Sequence, residues 1–278
     1  MAFPPKTTPA GEVFWAAFNQ GRYDRIGDVK KSLDDAIVAA PKDAYLKRLS
    51  GLASFWQVAE AGRDPKLGPL EQAMTAFKVE SLLSASKADD PEDPWTSCFL
   101  GIIQHRMARV TGDAAKAKSA AAEFERGIAK YPAFTTYCRA LAQSDSPRGS
   151  DEFLRSLDDF RRVIAICQPD VTEATPVATS SAGMDRCTQR ARVPHGYNGF
   201  WLSAGDVFLK AGKKDLAKAY YGNAKLAHYA DWSLKSVLED RLAKLEENAA
   251  RFADADTSND LVLSIAGPNT CVGCHSAK

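Results

Sequence analysis

The sequence predicts an all-α protein built from helical hairpins, and three observations carry this prediction. Apolar residues recur at helical spacing, as at Leu33 and Ile37 and again at Leu154 and Leu157. Sustained alternation of apolar and polar residues, the pattern of half-buried strands, is absent. Proline- and glycine-containing breaks divide the chain into segments of similar length. Helices joined by such regular breaks are typical of helical-hairpin repeats.

The composition is that of an ordinary globular protein. The chain has 278 residues, of which 45% are hydrophobic, so it has enough apolar side chains for a sizeable core. Its formal net charge is +1, which gives no reason to expect nucleic acid as a partner. No apolar stretch approaches the roughly 20 residues needed to cross a bilayer, so we expect no membrane span.

The first predicted segment, residues 1–166, consists of irregular helical repeats. Two weak repeat units each close on a proline, at Pro41 and at Pro132. The large and small residues that define these units are Ala17, Leu33 and Ala36 in the first, and Ala108, Ala120, Phe124 and Gly127 in the second. A non-repetitive helical bundle is the alternative.

The second predicted segment, residues 167–194, is an irregular loop. Pro169, Pro176 and the run ending at Gly183 interrupt the helical pattern. A loop of this length inside a domain is usually functional or disordered.

The cysteines suggest that this loop is closed by a disulfide. Apart from the pair near the end of the chain, four remain, namely Cys98, Cys138, Cys167 and Cys187. Four cysteines allow three pairings. We predict a Cys167–Cys187 bond, because closing an irregular segment restricts the unfolded chain. Four buried thiols are the alternative.

The clearest repeat lies in the third segment, residues 195–253. Small residues at Gly205 and Ala217 would let two helices approach closely, and aromatic residues would fill the space between them. The pattern consists of Trp201, Gly205, Phe208, Ala217, Tyr221 and Ala224. About 34 residues here resemble the tetratricopeptide repeat (TPR), although Tyr229 stands where that family usually has proline. The resemblance implies an array of helical hairpins that docks a protein partner. A charged helix, roughly from Ser233 to Phe252, is expected to follow.

The fourth segment, residues 254–278, is a tail that carries the chemistry. It contains the sequence Cys271-Val272-Gly273-Cys274-His275. Two thiols separated by two residues can join the two vinyl groups of a porphyrin, and the adjacent His then lies under the iron. Gly273 removes a side chain where the backbone turns. The pentapeptide resembles the attachment motif of c-type cytochromes. This resemblance implies one haem c, bound covalently by Cys271 and Cys274, with His275 as the proximal axial ligand.

Other interpretations of the motif remain open. A zinc site would need a fourth ligand and usually a second paired cluster, but the chain has no second Cys-x-x-Cys. A thioredoxin-like redox pair would need a strand-to-helix setting, and no parallel sheet is evident. A plain disulfide is the remaining alternative.

The sixth iron position is assigned to His195, with His228 as the second candidate. His195 stands between Pro194 and Gly196 at a loop end, beside aromatic residues that would suit a porphyrin. Those aromatic residues are Tyr197, Phe200 and Trp201. His228 ends the second helix of the clearest repeat. The other candidates are more typical of packing, and they are His105, Met74, Met107 and Met184.

Together these features predict a mono-haem c-type cytochrome on a TPR-like scaffold, which transfers electrons or binds haem and docks a protein partner. We expect an electron carrier or binding protein rather than an enzyme, since common phosphate-binding and hydrolase motifs are absent. An interaction scaffold without haem is one alternative. A haem sensor or peroxidase-like enzyme is another, if the sixth position is open. Haem attachment normally happens outside the cytoplasm, so we expect a periplasmic or otherwise extracytoplasmic protein. The first residues lack the features of a signal peptide, which we therefore expect to have been removed.

Overall fold

A computed structural model describes residues 7–61, 67–190, 192–254, 256–263 and 271–275. The regular structure of these residues is helical, so the predicted all-α class is confirmed. Short 3-10 helices also occur among the described residues, at Tyr23–Arg25 and Thr257–Asn259. No helix among the described residues is long and apolar enough to span a membrane.

The chain divides into two units, and the first comprises residues 1–142. Its helices are α1 (Pro9–Asn19), α2 (Ile26–Ala39), α3 (Ala44–Ala59), α4 (Pro69–Asp89), α5 (Pro94–Thr111), α6 (Ala114–Lys130) and α7 (Pro132–Gln143), the last of which ends one residue beyond the unit. Aspartates begin three of these helices, because the side chains of Asp43, Asp93 and Asp113 accept hydrogen bonds from the first backbone N–H groups of α3, α5 and α6. Helices α3 and α4 pack as one pair, and α5 and α6 as another.

Each of these pairs has a glycine on its first helix, against which the second helix packs closely. A Cβ atom on Gly51 would lie 2.9 Å from the side chain of Leu83 in α4. A Cβ atom on Gly101 would lie 2.7 Å from the ring of Phe124 in α6. Real Cβ atoms do not approach so closely, so both contacts depend on glycine. Only Phe124 of these four residues was singled out from the sequence.

The second unit comprises residues 143–278 and is organised around one helix. Its helices are α8 (Asp151–Cys167), α9 (Ala182–Thr188), α10 (Gly196–Lys210), α11 (Lys214–Asn223), α12 (Lys235–Ala243), α13 (Leu245–Ala253) and α14 (Val272–His275). Every residue of α10 is buried. Helices α8, α9, α11, α13 and α14 all pack against it, so α10 is the central helix of the unit.

Helices α10 and α11 form a hairpin where the clearest repeat was expected. A Cβ atom on Gly205 would lie 2.3 Å from the ring of Tyr221, and Ala217 is fully buried, so the predicted close approach is observed. The Tyr221 hydroxyl donates a hydrogen bond to the buried carboxylate of Asp206 at 2.7 Å, and Arg241 Nε donates to the same oxygen at 3.2 Å. The hairpin is thus present, while membership of the TPR family stays a prediction.

Two disulfide bonds join helices within the units. Cys167 at the end of α8 is bonded to Cys187 in α9, with their Cα atoms 5.9 Å apart, so the predicted pairing is confirmed. Cys98 in α5 is bonded to Cys138 in α7, with a Cα–Cα distance of 5.7 Å.

The structure differs from the sequence-based expectation at two places. Residues 167–194 were expected to be an irregular loop, but they contain α9, a short helix held by its disulfide and by the fully buried Met184. The single charged helix expected from Ser233 to Phe252 is two helices, α12 and α13, which meet at Lys244. Both helices pack on α11, and α13 also packs on α10.

Candidate functional site

The Cys-x-x-Cys-His motif forms a single helical turn. The backbone N–H groups of Cys274 and His275 both donate to the carbonyl oxygen of Cys271, at 3.3 and 3.1 Å. Cys271 and Cys274 are partly accessible, and no disulfide joins them. The turn therefore presents an imidazole and one thiol from the short helix α14, and a second thiol from Cys271, the residue before it.

Two hydrogen bonds to the backbone of α14 hold this turn in the second unit. The indole Nε1–H of Trp232 donates to the carbonyl oxygen of Gly273 at 2.6 Å, and both residues are buried. The backbone N–H of His195, the residue just before α10, donates to the carbonyl oxygen of Cys274 at 2.9 Å. A four-residue helix is not stable by itself, so such tertiary contacts are needed to keep it folded.

The imidazole of His275 is held in the neutral form. Burial of the ring lowers its pKa to about 3, although a hydrogen bond with the backbone of Arg192 acts in the opposite direction. Neutral imidazole is the form that binds metals. Metal-binding histidines commonly donate the second ring N–H to a backbone carbonyl, which fixes the orientation of the ring. The contact with Arg192 fits this arrangement.

Two glycines allow α14 to lie directly on its neighbours. A Cβ atom on Gly199 of α10 would lie 2.3 Å from Sγ of Cys274 and 3.0 Å from the carbonyl oxygen of Gly273. A Cβ atom on Gly273 would lie 2.9 Å from the side chain of Leu234. Gly273 was expected to serve a tight backbone turn. It lies within a helix, and the contact with Leu234 gives a steric reason for its small size.

The structure brings His195 beside the motif, mainly through its backbone. Its side chain is buried, and Nδ1 lies 3.4 Å from Oδ1 of Asn198. The ring also hydrogen-bonds the backbone of His228. Burial is the main cause that lowers the pKa of His195. The predicted distal ligand therefore already has hydrogen-bond partners within the protein.

His228 lies next to His195 but has different surroundings. Its backbone is in the left-handed region, with φ of 55°, and its Nε2 lies 3.1 Å from Oδ2 of Asp185 in α9. Of the remaining candidates, Met184 is fully buried in α9, while His105, Met74 and Met107 belong to the first unit.

The aromatic residues expected to face a porphyrin are instead packed in the core around α10. Tyr197, Phe200 and Trp201 are fully buried, and their ring contacts include Phe160 and Tyr220. The aromatic residue that contacts the motif is Trp232, which sequence reasoning missed. Its only local signal is its position after the clearest repeat, between the polar residues Asp231 and Ser233.

Part of the predicted tail is also docked. Before the motif, the structure describes residues 256–263 of this tail, and Leu263 is buried. The carbonyl oxygen of the preceding residue, Val262, accepts a hydrogen bond from Arg241 at 2.9 Å. The chain is thus anchored on both sides of the interval 264–270, which lies outside the described residues.

Among the described residues, no group of three or more His, Cys, Asp or Glu side chains is arranged to hold a metal ion. The four-ligand site that the zinc interpretation requires is therefore not assembled in that part of the chain. Comparison of the chain with protein-family models, curated proteins and solved structures found no match. The site is accordingly interpreted from its own chemistry.

Proposed function

We propose that the chain is an extracytoplasmic c-type cytochrome that carries one haem c and exchanges electrons with a protein partner. The observation that best supports this proposal is the setting of the Cys-x-x-Cys-His turn. It combines the partly accessible thiols of Cys271 and Cys274 with the His275 imidazole, which is neutral and oriented by a backbone contact. These are the groups that haem attachment requires.

The proposed attachment uses the two thiols symmetrically. The sulfur of Cys271 bonds to one carbon of a vinyl group, and the thiol hydrogen moves to the other carbon of that group. Cys274 does the same with the second vinyl group. Each addition converts a thiol and an alkene into a thioether, so no oxidant is consumed. His275 supplies one axial nitrogen, and bound haem supplies a one-electron redox couple.

The two disulfides support a location outside the cytoplasm. Such bonds persist in oxidising compartments, where haem is also attached to Cys-x-x-Cys-His motifs. We therefore place the protein in the periplasm or an equivalent space. The helical hairpins, which resemble TPR units, are the proposed docking surface for a protein partner.

The test is whether haem absorption stays with the chain after denaturation. Protein exported together with a cytochrome c assembly system should keep its visible spectrum through urea unfolding and acid-acetone extraction. The double substitution Cys271→Ala and Cys274→Ala should abolish this absorption. The matched control, Cys98→Ala with Cys138→Ala, removes another cysteine pair and should retain it. Loss of haem from the matured parent protein on extraction would contradict the proposal.

A second candidate function is a haem protein that binds a small ligand at an open sixth position. It is favoured by one observation, namely that the His195 ring is already hydrogen-bonded to Asn198 and to the backbone of His228. Carbon monoxide binding to the reduced protein separates the two functions. Rapid, complete binding would favour a sensor or a peroxidase-like enzyme, whereas no binding would favour electron transfer.

A further inference from the structure

Two hydrogen bonds among the described residues hold the haem-attachment turn by its backbone. Trp232 and His195 bind carbonyl oxygens of Gly273 and Cys274, not sulfur atoms or imidazole nitrogens. From this geometry we infer that the turn is preformed. It docks on α10 before haem is attached, and Gly199 and Trp232 are its positioning residues. The inference deepens the proposed function and rests on it for the identity of the group that is received.

The hydrogen bond from Trp232 favours the docked position of the turn. Its indole is fully buried, and the Gly273 carbonyl lies 2.6 Å away in a buried contact. If the turn left its place, both groups would lose this bond, and a buried polar group without a partner is costly. The docked position is thus favoured by the protein alone.

Gly199 leaves the space on α10 that the docked turn occupies. Glycine inside a helix is normally less favourable than alanine. Yet α10 has glycine at the point where Sγ of Cys274 and the Gly273 carbonyl approach its backbone. Alanine there would favour α10 as a helix but would occupy the space of the turn. Gly199→Ala therefore separates docking of the turn from stability of the helix beneath it.

Docking of the turn would orient the groups that react with haem. A docked turn keeps two thiols and one imidazole in a fixed mutual arrangement when the porphyrin arrives. Fixing reacting groups in advance removes part of the entropy cost of the reaction. An undocked tail would have to pay that cost during attachment.

The experiment measures how well the docked turn protects Cys274 in the chain without haem. Cys271→Ala serves as background, so that Cys274 is the single thiol beside the two disulfides. The full chain is exported without an assembly system, and the rate of alkylation by iodoacetamide is compared in native buffer and in urea. We expect the native rate to be at least about tenfold lower. Such a ratio corresponds to about 1.4 kcal/mol in favour of docking.

Two variants test the positioning residues. Gly199→Ala should raise the native rate nearly to the rate in urea, because its Cβ takes the place of the Cys274 sulfur. Trp232→Phe should raise the rate about fivefold, as expected for the loss of one buried hydrogen bond. In matured protein, both variants should lower the fraction of chains that carry haem.

Each variant has a matched control elsewhere in the chain. Gly222→Ala also places alanine in a helix, at a position where a Cβ would have nothing within 4 Å among the described atoms. Trp56→Phe also truncates a buried tryptophan, whose indole N–H has no hydrogen-bond partner among the described residues. Both should leave the alkylation rate of Cys274 unchanged.

The inference is overturned if Cys274 in the parent reacts as fast in native buffer as in urea, or if Gly199→Ala reacts no faster than Gly222→Ala. If Gly199→Ala does not fold, as judged by its circular dichroism, the comparison of Trp232→Phe with Trp56→Phe decides. Protection of Cys274 without haem attachment in the maturation experiment would refute the proposed function and leave the docked turn standing. Haem attachment without protection of Cys274 would support the proposed function and refute the docked turn.

Discussion

The imidazoles of His275 and His195 lie in the same region but are suited to different tasks. Burial leaves the His275 ring neutral, and the contact with Arg192 orients it, as expected of a metal ligand. The His195 ring is hydrogen-bonded to the Asn198 side chain and to the backbone of His228. To bind iron it would have to exchange one of these bonds for the metal. Its backbone N–H, which holds Cys274, does not depend on the side chain.

This distinction makes the distal ligand testable by spectroscopy. If His195 binds the iron, His195→Ala in matured protein should convert a low-spin spectrum to high-spin and permit carbon monoxide binding. The matched variant His228→Asn removes the second candidate while tolerating the left-handed backbone at that position, and it should leave the spectrum low-spin. An unchanged low-spin spectrum in His195→Ala would show that His195 is not the ligand. If His228→Asn instead became high-spin, His228 would be the ligand.

Among individual site residues, the sequence could single out those that form one contiguous motif. Cys271, Cys274 and His275 stand out because their spacing resembles the haem-attachment motif of c-type cytochromes. Trp232 and Gly199 were not recognisable from the sequence. They lie 41 and 75 residues before their partners in the motif and contact them only in the folded chain. A buried glycine or tryptophan has no local pattern that reveals its partner.

Among the helices, α9 shows how one disulfide can support the functional site. Seven residues are too few for a stable isolated helix, and Cys187 fastens α9 to the end of α8. The chain then continues through the backbone groups of Arg192 and His195 that contact the motif. The start of α10 is packed close to α9, since a Cβ on Gly196 would lie 2.6 Å from the side chain of Thr188.

Removal of this bond should therefore loosen the site as well as the fold. Cys167→Ala with Cys187→Ala should lower the free energy of unfolding by about 3 kcal/mol in urea titrations, because the bond closes a short loop in the unfolded chain. In the single-thiol background without haem, alkylation of Cys274 should also become faster.

The control is the other disulfide. Cys98→Ala with Cys138→Ala should lower stability too, but it should not change the alkylation of Cys274, because neither residue contributes to the contacts of the turn. An equal effect of both pairs on Cys274 would contradict a specific role for α9.

Helix pairing was predictable where the chain marks its own turns. The hairpin of α10 and α11 follows from Gly205, Ala217 and the break at Gly212, which adopts a left-handed φ of 79°. The break between α12 and α13 at Lys244 was not predictable, because no proline or glycine accompanies it. Both helices pack on α11, and α13 also packs on α10, which no local sequence pattern shows.

For the molecule as a whole, the second unit depends on buried phenols in its core. Tyr197, Tyr220 and Tyr221 are almost completely inaccessible, and burial raises the pKa of each. For Tyr220 the pKa rises to about 12, whereas an exposed tyrosine has a pKa of about 10. As the pH rises, these tyrosines therefore lose their protons in the unfolded chain before they do so in the folded chain. The stabilising effect is complete below pH of about 10 and decreases as the pH rises towards 12.

The free energy of unfolding should thus fall between pH of about 10 and 12, and Tyr220→Phe should make that fall less steep. A shift of one pKa unit corresponds to 1.36 kcal/mol, so we expect the variant to remove about 2 kcal/mol of the alkaline loss. Urea titrations at several pH values measure this. Identical slopes for Tyr220→Phe and the parent protein would show that the buried phenol does not govern alkaline stability.

Covalent attachment of one haem to Cys271 and Cys274 is tested most directly by intact mass under denaturing conditions. Chain exported with a cytochrome c assembly system should be heavier than the same chain exported without it, by the mass of one haem. The increment should disappear in the variant with Cys271→Ala and Cys274→Ala. An unmodified mass after maturation, in cells where a known c-type cytochrome acquires its haem, would contradict the assignment.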